Sequence, residues 1–167
     1  MRTRNIARCA LMVALMVLCA WLALPTGGSG AITLQTLGIF LALGLLGGRK
    51  GVICIGVYLC LGALGLPVFA GFLGGAALFG PTGGFLWAFV PAGILFCLTE
   101  KKLPMWMNLV LCQLTLYLGG TLWLWLQIDL PIHKILWITL IPYLIPDALK
   151  LILSLFLTQK LHPVIQK

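Results

Sequence analysis

Long apolar stretches, separated by only a few charged residues, constrain this chain more than any other feature. Eleven Lys and Arg and three acidic residues are all the formal charge in 167 residues, 8% of the total, while 62% of the chain is hydrophobic. A soluble domain carries about 25% charged residues, and its shell would otherwise be one aggregating apolar patch. The apolar runs fall at 6–24, 33–47, 51–65, 83–99, 104–126 and 132–160. A transmembrane helix takes about 20 residues, so six of them leave only short loops and two tails. The chain is predicted to be all-α, a polytopic membrane protein with six transmembrane helices forming one membrane-embedded domain over 1–167.

Two runs need interpretation. Arg2, Arg4 and Arg8 ahead of an apolar stretch resemble a signal peptide. The Ala-Trp-Leu-Ala-Leu-Pro that follows is a poor small-residue cleavage site, so the segment reads as a retained first helix. The last run is too long for one span and is interrupted by Pro142 and Pro146. It reads as a lipid-facing or re-entrant piece at 132–142, then a final helix starting near Pro146.

The positive-inside rule orients the spans. With both termini cytoplasmic, the inner side holds Arg2, Arg4, Arg8, Arg49, Lys50, Lys101, Lys102, Lys160 and Lys167, against Lys134 outside. Lys150 lies within a span. The net charge of +8 therefore reflects membrane topology and not nucleic-acid binding, since the basic residues form no continuous face. The inner turns are then minimal, and the richer connections at 25–32, 65–83 and 127–134 face outward, where a binding site is expected.

Catalytic machinery is sparse in the sequence. No phosphate-cradling G-x-x-x-x-G-K-[ST] occurs, and Gly27-Gly28-Ser29-Gly30-Ala31 misses the G-x-S-x-G nucleophile elbow at its last position. His133 and His162 fall on opposite sides of the membrane. Six cysteines lie in or beside apolar runs without any C-x-x-C, which points to small packing residues and away from a disulfide framework or zinc site. The chain is not expected to be an enzyme, and it carries no motif for a cofactor or metal.

Asp147 and Lys150, at i and i+3, stand out because ionisable groups at membrane depth are costly and usually face a protein interior or wet cavity. They either lock the start of the last helix as an internal ion pair or act as a polar clamp on a ligand. Thr33, Gln35 and Thr36 open the second span from the outside, as cavity lining or as helix-cap chemistry. Tyr143, four residues before Asp147, either stacks on a bound ring or sits at the interface. Between Gly65 and Gly84, seven glycines and two prolines interleave with Phe69, Phe72 and Phe79, which rules out an ordinary helix. This segment is either a lid over an outward pocket or a packed re-entrant loop. Ala10 and Ala14, with Ala7 beside them, form a small-xxx-small pair suited to close helix approach, and Gly44 with Gly48 and Gly47 with Gly51 add similar pairs.

Several motifs resemble one family. Thr33-Leu34-Gln35-Thr36-Leu37, Gly65-Leu66-Pro67-Val68-Phe69-Ala70-Gly71-Phe72 and Gly80-Pro81-Thr82-Gly83-Gly84-Phe85 are similar to the BioY signature. So are Tyr117-Leu118-Gly119-Gly120-Thr121 and Ile145-Pro146-Asp147-Ala148-Leu149-Lys150. BioY proteins are the biotin-specific membrane subunits of energy-coupling factor (ECF) transporters. The resemblance implies a multi-pass protein of the cytoplasmic (inner) membrane that captures biotin from outside, with biotin as transported ligand and no cofactor. It implies a partner module of one transmembrane coupling subunit and two ATP-binding subunits, docked through Ala10 and Ala14. Asp147 and Lys150 match positions that hold the ureido ring. Thr33, Gln35, Phe69, Phe72, Thr82, Tyr117 and Tyr143 complete the expected ligand-binding set. Phe85 stands where Tyr is common, and Leu73 and Ala77 fall in a variable stretch. A subunit for another small vitamin, or a membrane enzyme acting on lipid, are the alternative readings.

Overall fold

The computed structural model describes residues 3–25 and 31–165. The Gly27-Gly28-Ser29-Gly30 stretch read from sequence lies outside the described residues. Helices α1 (Thr3–Trp21), α2 (Gln35–Leu46), α3 (Gly48–Ala63), α5 (Gly83–Thr99), α6 (Met105–Gln127) and α8 (Ile141–Ile165) are the long elements. Short helices α4 (Ala76–Phe79) and α7 (Ile132–Thr139), and a 3-10 turn at Ala70–Phe72, lie between them. One feature departs from the all-helical expectation: strands β1 (Ala23–Pro25) and β2 (Ala31–Thr33) pair antiparallel, with Leu24 opposite Ile32.

Among the described residues, three segments are long and apolar enough to cross a membrane: α1, α6 and Ile132–Pro163. Helices α2 and α5 are apolar but shorter, at 12 and 17 residues. The protein surface is turned inside out relative to a soluble bundle. On α8, Asp147, Lys150, Ser154 and Thr158 are buried along one face, while Ile145, Leu149, Ile152 and Phe156 are exposed along the opposite one. On α6, Asn108, Gln113, Tyr117 and Thr121 point inward, and Val110, Leu114, Leu118 and Leu122 point out. Both sets repeat at helical spacing, with the apolar side outward, as a lipid solvent requires.

Glycines set the helix distances. At Gly84 and Gly120 an added Cβ would collide with Trp123 and Phe85, and at Gly119 it would stand 2.6 Å from the Ala88 side chain, so α5 and α6 pack nearly backbone to backbone. Gly48 sits against Cys97 of α5, and Gly51 against Leu43 of α2. Of the glycine pairs in the sequence, Gly44, Gly48 and Gly51 thus face neighbouring elements, whereas Gly47 is the left-handed turn residue between α2 and α3. At this end of the bundle Gly48 donates its backbone N–H to Glu100 Oε2 at 2.6 Å, and Lys50 reaches Asn5 at 3.4 Å.

Two expectations are corrected. The last helix begins at Ile141, not near Pro146. Pro142 falls in its first turn, where no backbone N–H is needed, and Leu140 accepts from both Tyr143 and Leu144 at the junction with α7. Asp147 therefore lies in the second turn of this helix and not at its first residue. Cysteine spacing also misled: Cys9 and Cys54 form a disulfide between α1 and α3, with Cα atoms 5.7 Å apart. Residues 45 apart in sequence leave no local signature for a bond created by helix packing.

Candidate functional site

A cavity of about 440 Å³ opens where the 65–84 segment, β1 and β2 meet α2, α5, α6 and α8. The segment is pinned on several sides. Trp21 donates its indole N–H to the Pro67 carbonyl at 2.8 Å, Trp87 to Leu78 at 3.0 Å, and Trp123 to Gly80 at 3.0 Å. Gln127 donates to Phe79 at 3.0 Å. The turn itself needs left-handed backbone at Gly71 (φ 70°), which glycine adopts without steric cost. The segment is thus both a cover over the cavity and a packed loop.

Phe69 is the anchor of this cover. Its ring lies against Gly62, where any side chain would collide, and meets Tyr58 edge to face at 5.3 Å. Tyr58 in turn donates to the Val68 carbonyl at 3.0 Å and accepts from Gln35 Nε2 at 2.8 Å. One buried hydroxyl therefore fixes both the cover and the amide of Gln35 in the cavity wall.

The polar floor is built by α6 and α8. Lys150 Nζ stands 2.6 Å from Asp147 Oδ1, and each residue is only 6% exposed. The other carboxylate oxygen accepts from Gln113 Nε2 at 2.8 Å and from the Tyr117 hydroxyl at 2.9 Å. Gln113 and Tyr117 are one helical turn apart on α6, so a single face delivers both donors. Three donors compensate the carboxylate, as a charge buried in low dielectric requires. The Gln113 Oε1 and the Thr36 hydroxyl, both on cavity-lining residues, are buried without partners. Such groups are costly in an empty protein and are satisfied by a ligand or water. Aliphatic and aromatic walls with a few convergent polar groups at one end are what a small-molecule pocket requires.

The sequence model of the BioY family matches residues 1–167. This chain belongs to the BioY family. The probable biotin transporter BioY of Pyrococcus horikoshii is 34% identical over 163 residues, 97% of this chain and 98% of that protein. The biotin transporter BioY2 of Lactococcus lactis is 37% identical over 152 residues, covering 86% of this chain and 82% of its own length. The fold matches the crystal structure of the S-component for biotin from an ECF-type ABC transporter, with a TM-score of 0.86 and 28% identity. That match covers 97% of this chain and 92% of the other.

Of the candidate residues read from the BioY motifs, Thr33, Gln35, Phe69, Thr82, Tyr117, Tyr143, Asp147 and Lys150 all line the cavity. Phe72 does not. The residue is 63% exposed and its ring stands 5.0 Å from that of Trp21, because the left-handed turn at 71–72 directs it away from the cavity. Ala10 and Ala14 do not line the cavity; they are exposed on α1, near exposed Leu11 and Leu18. Gln113 and Tyr58 were missed by the sequence reading. A glutamine in the middle of an apolar run, four residues before Tyr117, was the available signal for the first. Tyr58 lies in a run with no polar neighbour and gave none.

Proposed function

We propose that this chain is the biotin-capturing substrate subunit of an ECF-type transporter, a single membrane-embedded domain over 1–167. It crosses the cytoplasmic membrane six times with both termini inside, and opens its cavity to the exterior. The observation that carries the reading is the Asp147–Lys150 pair buried at the floor of an otherwise neutral cavity, in a chain with three acidic residues in all. A ureido ring offers two N–H donors and one strongly accepting carbonyl. Asp147 and the unpartnered Gln113 Oε1 supply acceptors, and Lys150 supplies the donor. Phe69, Tyr117 and Tyr143 flank the ring system, and Thr33, Gln35 and Thr82 line the wall toward the loops.

The six-span topology is supported by the two ends of the bundle. The Trp-pinned 65–84 cover and the β1–β2 strands gather at one end, and the turns bearing Arg49, Lys50, Lys101 and Lys102 gather at the other. Concentrative uptake is driven by a partner module of one coupling subunit and two ATP-binding subunits, since this sequence contains no phosphate-cradling loop. Ala10 and Ala14 serve as the docking strip, where small exposed side chains let a partner helix approach closely.

Isothermal titration of the purified chain with biotin, riboflavin and thiamine tests the reading. Saturable binding of biotin alone is expected. Preferential binding of either other vitamin would overturn it.

A further inference from the structure

The cavity is graded in polarity from mouth to floor. Gly71, Leu73 and Thr82 at its mouth are exposed, whereas Asp147 and Lys150 at its floor are buried. Among the described residues, these two are the only charged side chains that line it, and they neutralise one another at 2.6 Å. The described lining residues therefore sum to zero formal charge.

A neutral floor has consequences for which end of a ligand it takes. A carboxylate inserted there would bring an uncompensated negative charge beside Asp147 in a low-dielectric site, which is strongly unfavourable. Lys150 cannot offset it freely, because its ammonium is already held by Asp147. The other Asp147 oxygen is in turn held by Gln113 and Tyr117. A neutral polar ring satisfies the floor without adding charge, and an acidic tail left at the mouth keeps its water.

We infer that the site recognises the ureido bicycle and is indifferent to the charge at the end of its tail. Derivatives whose carboxyl group is converted to a neutral carboxamide or alcohol are then ligands in their own right. This rests on the assignment of Asp147 and Lys150 to the ureido ring.

The test is competition against radiolabelled biotin on the purified full chain. The competitors are biotin, its carboxamide, its alcohol, and the ring-opened diamine that keeps the acid tail. The carboxamide and alcohol are expected within about fivefold of biotin, as for a solvent-exposed charge. The diamine is expected to be weaker by about a hundredfold or more, having lost charge-assisted hydrogen bonds at the floor. A loss of tenfold or more for the carboxamide, with biotin still bound, would overturn the inference. Lys150→Met supplies a second reading. It should weaken biotin and carboxamide by the same factor, whereas a loss confined to the free acid would put the tail carboxylate on Lys150 and refute the proposal. If biotin itself fails to bind, the ureido assignment falls and this inference with it. That outcome is distinct because the tail analogues are then silent as well.

Discussion

The Tyr117 hydroxyl donates to Oδ2 of Asp147 at 2.9 Å, across the contact between α6 and α8. This bond joins a residue on the long apolar α6 to a carboxylate on a helix that carries Pro142 and Pro146 near its start. With Gln113 on the same oxygen and Lys150 on the other, the carboxylate is held in one orientation before any ligand arrives. A preorganised polar floor lowers the ordering cost of binding.

Removing Tyr117 from that floor should therefore weaken binding without unfolding the protein. Tyr117→Phe deletes one hydrogen bond to a charged acceptor, roughly 1.5–3 kcal/mol, and leaves the ring and Gln113 in place. Biotin affinity measured by titration should fall by on the order of tenfold, with a small drop in melting temperature. Unchanged affinity would mean that Gln113 and Lys150 suffice to orient the carboxylate.

The ion pair itself gives a sharper pattern. Asp147→Asn and Lys150→Met should each weaken biotin by about tenfold to a hundredfold, because charge-assisted bonds are lost. Each single change also strands a buried charge and lowers stability, and the double change largely restores the fold. Melting temperature and affinity measured together separate the two roles. A stable double mutant with near-native affinity would show that the pair is structural.

Gly62 tests the cover. Gly62→Ala places a methyl group against the Phe69 ring and should displace it, destabilising the protein by about 1–3 kcal/mol. Biotin affinity should fall with it, since Phe69 lines the cavity. Gly56 on the same helix has open space around it, so Gly56→Ala should be neutral or stabilising by up to about 1 kcal/mol. Equal effects at the two positions would remove Phe69 from the explanation.

The docking strip predicts a split between binding and transport. Ala10→Leu or Ala14→Trp should abolish uptake in vesicles containing the complete ATP-driven assembly, while the isolated chain still binds biotin. Both alanines are exposed, so the enlarged side chains meet no core residue of this chain. Parallel loss of binding and uptake would identify them as folding residues.

Topology can be read by impermeant thiol labelling in intact cells. A cysteine at Asp129 should react and one at Lys102 should not, both positions being exposed at opposite ends of the bundle. Labelling at Lys102 from outside would reverse the orientation and put the cavity on the cytoplasmic side.

Sequence alone was enough to determine the solvent of this protein and to place its one buried pair of charges on a single helix face. Charge this scarce cannot cover a soluble surface, and Asp147 and Lys150 share a helix face by spacing alone. The glycine-rich 65–84 segment was equally legible, because local backbone requirements are written in local residues. Relationships between helices were not. Helices α2 and α5 are apolar on every side, so no periodic pattern separates the face that packs inward from the face that meets lipid. Only the packed structure sets Tyr58 beside Gln35, turns Gln113 toward Asp147, joins Cys9 to Cys54 and carries Phe72 out of the cavity. Each of these depends on how one helix or turn is rotated against another. In an apolar bundle that rotation is decided by close packing, at glycines such as Gly62, Gly84 and Gly120, and by the few polar groups that must find partners across the interface.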